Sequence, residues 1–183
     1  MNYRKYLALT AFSSEQVLGQ WRWLTGPDLE LWHVTKAGDA FLKKPADGSV
    51  YFLDVVAGRV EMIADSEIDF EALISDVENA DCWLMPSIVD GQALLGMEPG
   101  NDECLSMKQP PVLGGQVTPD NFETCCVLVH FSIAGQIHEQ VKDLPPGTKI
   151  DKIQIKSKTR ATKRPWWKFW DGMRPHLLLF ACS

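Results

Sequence analysis

No apolar run in this 183-residue sequence approaches the roughly 20 residues needed to cross a bilayer. The only short apolar stretch near the start, Leu7–Phe12, is brief for a signal-peptide core of about 7–15 residues, so retention in the cytoplasm is expected. There is no CxxC pair and no metal-ligand spacing among the five cysteines, Cys82, Cys104, Cys125, Cys126 and Cys182. Zinc and dithiol chemistry are therefore unsupported, and buried free thiols in a reducing compartment are the expected state. GxGxxG and GxxxxGK[ST] are missing, so Gly114-Gly115 is not a phosphate cradle, and neither Ser106 nor Ser132 has nucleophile-elbow surroundings. Internal repeats are absent too.

What is present fits a globular chain. Hydrophobic residues make up 45% and charged residues 23%, and the length suits one domain with an appendage, here residues 1–155 and 156–183. The net charge of −6 hides an asymmetry. Residues 1–148 hold 22 Asp/Glu against 9 Lys/Arg, whereas residues 149–183 hold 2 against 9. A body of this charge repels nucleic-acid phosphates and attracts basic proteins; the tail does the reverse.

Punctuation and periodicity predict an α+β chain, a mostly antiparallel sheet with flanking helices. Ser13 or Ser14 caps a helix through Leu24 that buries Val17 and Trp21, and Gly26-Pro27 stops it. A meander follows: Leu29–Thr35, Ala40–Lys43, Val50–Val55 and Val60–Ile63, with Asp47-Gly48 the strongest hairpin turn. The third of these strands is apolar on both faces, which predicts helices on both sides of the sheet. Ser66 caps a helix whose buried face is Phe70, Leu73, Ile74 and Val77. Further elements are a helix over Ser87–Leu95 and strands over Cys104–Lys108, Thr124–Phe131 and Ile150–Ile155. Ser132 begins a last helix, with Ile133, Ile137 and Val141 on one face and Gly135 marking close packing against a neighbour.

Candidate chemistry is sparse. His130 and His138 share a helix face only if that helix begins early, and no carboxylate stands at metal-motif spacing from them. The carboxylates Asp65, Glu67, Asp69 and Glu71, and the pair Asp102-Glu103, are explained by helix starts and solvated faces as well as by a cation site or an acid–base dyad. No catalytic, metal or cofactor constellation emerges. In the tail, basic residues interleave with Trp166, Trp167, Phe169 and Trp170. That pattern suits a membrane interface or stacking on nucleic-acid bases, and equally a segment folded back on the acidic body.

Several words occur in a telling order: WRWL at Trp21–Leu24, GDAFL at Gly38–Leu42, DGSVYFLDVVAG at Asp47–Gly58, DCWLM at Asp81–Met85, PPVLGG at Pro110–Gly115 and HFSIAGQIHEQVKDLPPG at His130–Gly147. Over about residues 15–150 the chain resembles the type VI secretion immunity proteins that neutralise a DNase effector, in their C-terminal domain. The resemblance implies a non-catalytic protein, without cofactor, that binds and blocks a toxin. Longer relatives carry a further N-terminal domain, and the tail is not part of the pattern. It supplies no residue-level interface. Charge clustering alone nominates Asp65, Glu67, Asp69, Glu71, Asp102 and Glu103 as the surface for a basic nuclease toxin. The alternative reading is a regulatory or small-ligand-binding domain with a pocket formed by Pro110–Gly115, including Gly114 and Gly115, together with His130 and His138; an enzyme with an unrecognised site is a third.

Overall fold

Short turns between apolar runs lay five strands side by side in chain order. A computed structural model describes residues 2–145, 147–150 and 152–156. In it β1 (Leu7–Ala8), β2 (Glu30–Thr35), β3 (Ala40–Lys43), β4 (Val50–Asp54) and β5 (Arg59–Ala64) form an antiparallel meander. The four expected strands appear within a residue at each end; β1 is an addition, recruited by pairing of Leu7 and Ala8 with Thr35 and Val34.

Register sorts the side chains into two cores. Phe41 stands opposite Phe52, whereas Ala40 faces Leu53 and Leu42 faces Tyr51. Because successive residues point to opposite sides of a strand, Phe41, Val50 and Phe52 enter one core, and Ala40, Leu42 and Leu53 enter the other. The first core is closed by α3 (Glu67–Ile74), α4 (Val77–Leu84) and α5 (Pro86–Leu94) through Phe70, Ile74, Trp83 and Leu84. Phe70 meets Phe41 edge-on at 4.9 Å, a geometry that adds about 0.5–1.5 kcal/mol beyond area burial. The second core is closed by α1 (Ser14–Leu18), α2 (Arg22–Thr25) and α6 (Val127–Val141) through Val17, Leu18, Trp21 and Phe131. There the indole N–H of the fully buried Trp21 donates to the Phe131 carbonyl at 2.9 Å, so the polar edge of the largest core side chain is satisfied.

A second, two-stranded antiparallel sheet, β6 (Glu103–Met107) with β7 (Phe122–Cys126), completes the α+β architecture. No helix of the described residues is long and apolar enough to cross a membrane.

Several expectations are corrected. The helix over Ser13–Leu24 is two: α1 keeps its Ser13 capping box but ends at Leu18, before the poor helix former Gly19, and Trp21 turns inward ahead of α2. The strand over Thr124–Phe131 stops at Cys126, and helix begins at Val127 rather than at Ser132. Leu73 and Val77 are exposed; only Phe70 and Ile74 of that stripe are buried. The helix α4 was not expected; Asp76 caps it by accepting from the Glu78 and Asn79 amides. Residues 152–155 are not a strand but lie along α6. Cys82 and Cys126 are exposed rather than buried, and Cys104 is buried. The aromatic tail and Cys182 lie outside the described residues.

Candidate functional site

The early start of α6 places His130 and His138 on one helix, and each is seated against a glycine of the meander. His130 Nε2 contacts the Gly38 carbonyl at 2.8 Å and its Nδ1 contacts Ser106 Oγ at 2.9 Å. A carbonyl only accepts, so Nε2 carries the proton, and the Ser106 hydroxyl donates to Nδ1. Both ring nitrogens are thereby committed in the neutral ring, and burial pulls its pKa down to about 4. Gly38 has φ +104, and a Cβ there would lie 2.6 Å from the Leu105 carbonyl oxygen and 2.9 Å from His130 Nε2. Only glycine fits.

His138 is buried beneath the turn between β4 and β5. A Cβ on Gly58, φ +65, would come within 2.7 Å of both Cγ and Cε1 of its ring, and closer still to Nδ1. Its other side leans on Trp21, ring centroids 5.6 Å apart. Desolvation lowers its pKa, partly offset by the Val55 backbone and the Asp54 charge. The words GDAFL, DVVAG and GQIHEQ, far apart in sequence, thus meet around one helix. At Gly135 a Cβ would stand 2.7 Å from the Gln20 carbonyl oxygen, the close approach expected there, which seats α6 against the residues that follow α1.

Beside the histidines, between α6, the β6–β7 pair and the Pro110–Leu113 turn, lies a cavity of about 280 Å³. Its walls are mostly apolar: Val55, Leu105, Met107, Val112, Leu113, Phe122, Val129, Ile133 and Ile137. His130, His138 and Ser106 join them, as do Asp39 and Glu123. Asp39 is 2% exposed and accepts the Val55 N–H at 2.7 Å. Desolvation nonetheless raises its pKa to about 7, against the opposing pull of that hydrogen bond. Gly114 and Gly115 lie outside the lining. Gly114, φ +86, caps the 3-10 turn at Pro111–Leu113, and a Cβ on Gly115 would strike the Gln109 backbone. Asn121 staples this loop: its amide accepts from Gln109 N–H at 3.0 Å and donates to the Gln109 and Gln116 carbonyls at 2.7 and 2.8 Å. Among the described residues no group of three or more His, Cys, Asp or Glu is arranged to hold a metal ion.

The nominated carboxylates occupy two separate places. Asp65 is exposed where β5 runs into α3. Glu67 pairs with Lys43 at 2.6 Å, which lowers its pKa, and Asp69 accepts from the Ser66 hydroxyl at 2.6 Å. Glu71 accepts from the Tyr3 hydroxyl at 2.7 Å. Among these groups α3 exposes Ile68, 81% accessible, and Leu73, and α4 begins with the exposed Val77. Asp102, in the left-handed region at φ 61, and Glu103 instead lie at the start of β6. There Asp102 N–H donates to the Leu9 carbonyl and Glu103 accepts the Gly100 N–H. The apolar residues of the α3 surface carry no sign in a hydropathy pattern, because their spacing reads as core.

Comparison with known proteins bears on this arrangement at two levels. Residues 64–138 match the family model described as T6SS immunity protein Tdi1, C-terminal. That stretch runs from the end of β5 through α3, both carboxylate clusters and the cavity loop to His138. Among solved structures, the crystal structure of Atu4351 from Agrobacterium tumefaciens is similar at a TM-score of 0.52 with 19% identity, over 67% of this chain. The chain spans 64% of the length of that protein, and the likeness concerns the fold alone. No curated protein matches.

Proposed function

We propose that this chain, whose residues 64–138 match the model of the T6SS immunity protein Tdi1 C-terminal family, acts by stoichiometric binding of a cognate toxin, and that the toxin is a basic nuclease. The observation that carries the reading is where the charge lies. Residues 64–138 contain 13 Asp/Glu and a single Lys, so the matched segment carries a net −12 of the −13 carried by residues 1–148. A nuclease binds phosphates with a basic cleft, and a surface of this sign steers toward such a cleft and competes for it. On α3 the exposed Ile68 is flanked by Glu67 and Asp69 and lies one turn from Glu71, an apolar side chain within a charged surface. Binding of this kind needs no turnover, metal or cofactor, and it takes place in the cytoplasm, where the toxin would act. Residues 1–155 serve as the binding unit, with 156–183 appended.

Charge reversal tests this. Lys in place of Asp65, Glu67, Asp69 and Glu71 is expected to weaken toxin binding at least tenfold at low salt and much less at high salt; Lys at Asp102 and Glu103 tests the second cluster separately. Unchanged affinity in both variants at low salt sinks the electrostatic interface. The second reading, a regulatory domain that binds a small ligand, draws on the cavity lined by both histidines and by Asp39. That cavity, about 280 Å³, falls just below the range of about 300–1,000 Å³ for ligand sites. His130 has no free ring nitrogen to offer, so the reading comes second.

A further inference from the structure

We infer that the cavity beside α6 binds a small primary amine with an apolar body, its ammonium group paired to the carboxyl of Asp39 and its hydrocarbon part held by the aliphatic wall. The inference rests on the ligand-binding reading of the cavity and is separate from toxin capture on the acidic surfaces.

Asp39 selects the class of ligand. Only 2% of the residue is exposed, so its carboxyl is withdrawn from bulk water. Oδ1 accepts the Val55 N–H at 2.7 Å, whereas Oδ2 has no hydrogen-bond partner among the described residues. Trp23 Nε1 and Gln92 Oε1 are the side-chain atoms of the described residues that are both sealed and unpaired. Oδ2 is therefore unpaired without being sealed, and the open space that Asp39 lines is this cavity. Holding the Val55 amide requires one neutral acceptor, which an amide side chain supplies. A carboxyl in that place carries a further desolvation cost that only a partner for its second oxygen offsets.

The missing partner is a cation. The charge acting on Asp39 is that of Asp54, which makes its ionisation harder. Lys108 is the one Lys or Arg in the described lining, and its Nζ donates to the Asp120 carbonyl at 2.8 Å. His130 is neutral with both ring nitrogens engaged, and burial disfavours the charged form of His138. Glu123, exposed and also in the lining, adds negative charge. An ammonium group entering here meets carboxylates and no competing cation. With its pKa raised to about 7, Asp39 releases its proton readily once a positive charge stands beside it.

Walls and volume define the rest of the ligand. Leu105, Phe122, Ile133 and Ile137 help to enclose about 280 Å³. An apolar cavity of about 150 Å³ takes a benzene ring, so this one takes a body of about ten non-hydrogen atoms, an aryl ring or a branched chain on a short arm. Entry is from the solvent side of α6, where Val129 and Ile133 line the cavity yet are 46% and 39% exposed.

The test titrates the full chain with 2-phenylethylamine, and with its neutral counterpart 2-phenylethanol, by calorimetry at neutral pH. The amine is expected to bind one-to-one and about tenfold or more tighter than the alcohol, the margin of a charge-assisted hydrogen bond. Asp39→Asn, which keeps the acceptor for Val55, is expected to bind the two compounds alike. Ile133→Trp, at an exposed position, narrows the entrance and is expected to weaken both, which keeps the test decisive if the Asp39 variant does not fold. The variant with Lys at Asp65, Glu67, Asp69 and Glu71 is expected to bind the amine as the wild type does. Equal affinity of wild type for amine and alcohol overturns the inference while leaving a ligand pocket. Absence of binding by either compound at millimolar concentration overturns the ligand-binding reading with it. A preference for the amine that survives in Asp39→Asn, or binding unchanged in Ile133→Trp, places the amine on the acidic surface instead and also overturns it.

Discussion

Gly58 and His138 form a pair whose energetics follow from geometry, so their joint replacement is a sharp test of how α6 is docked. In Gly58→Ala two costs add. An L-residue at φ +65 costs about 1–2 kcal/mol. The new Cβ also has no room, lying 2.7 Å from two ring atoms of His138, and displacing a packed ring costs about 1–3 kcal/mol. The sum, about 2–5 kcal/mol, lowers the melting temperature by about 5–15 °C for a chain of this length. His138→Ala alone empties a buried site against Trp21 and costs about 2–4 kcal/mol. In the double variant the methyl group meets a void instead of a ring. The two losses should then fall short of additivity by about 1–3 kcal/mol, because only the backbone cost of the alanine survives. Urea unfolding followed by tryptophan fluorescence measures all four corners of the cycle. Losses that add to within about 0.5 kcal/mol would refute the docking of His138 under Gly58.

Other perturbations test the cavity and its surroundings. Asp39 binds its proton more tightly folded, at about 7 against an ordinary 3.8, so its contribution is lost as pH rises through that interval. His130 does the reverse: folded at about 4 against 6.5, it lowers stability as pH falls from 6.5 to 4. Each slope amounts to roughly 3–4 kcal/mol at full extent, and they oppose. Asp39→Asn, which keeps an acceptor for Val55, is expected to leave a stability that rises from pH 4 to 6.5 more steeply than the wild type; parallel pH profiles from denaturant titrations would contradict the burial of Asp39. Asn121→Ala removes three hydrogen bonds of the Pro110–Gly115 loop, about 1–3 kcal/mol, and should speed amide exchange across 110–116 without touching the five-stranded sheet. Truncation after Lys156 is expected to leave the body folded, its melting temperature within a few degrees of the full chain; a collapse would make the tail tryptophans part of the core.

The meander was legible because its turns are written locally: Asp47-Gly48 and Ala57-Gly58 punctuate runs of β-forming residues. The start of α6 was not. Val127, Val129 and Phe131 favour strand by propensity, and helix wins there because Val127 and Phe131, one turn apart, bury in the same core as Trp21 and Leu18. That misplaced start hid the fact that His130 and His138 share a helix. Their glycine seats were visible as words of the resemblance but not as contacts, since Gly38 and His130 meet across 92 residues. The acidity was plain in composition. Its division into an α3 surface and a β6 base depends on tertiary placement, and the apolar residues among the α3 carboxylates read as core until the fold left Leu73 and Val77 outside.

The central claim is stoichiometric neutralisation of a basic nuclease, and capture from the native lysate addresses it most directly. The full chain is immobilised, bound proteins are identified by mass spectrometry, and the eluted partner is assayed for DNA cleavage before and after the chain is added back. The account predicts one basic protein at a one-to-one ratio whose nuclease activity disappears on rebinding. Retention of a small molecule with no protein partner, or a partner whose cleavage persists in the complex, would contradict it.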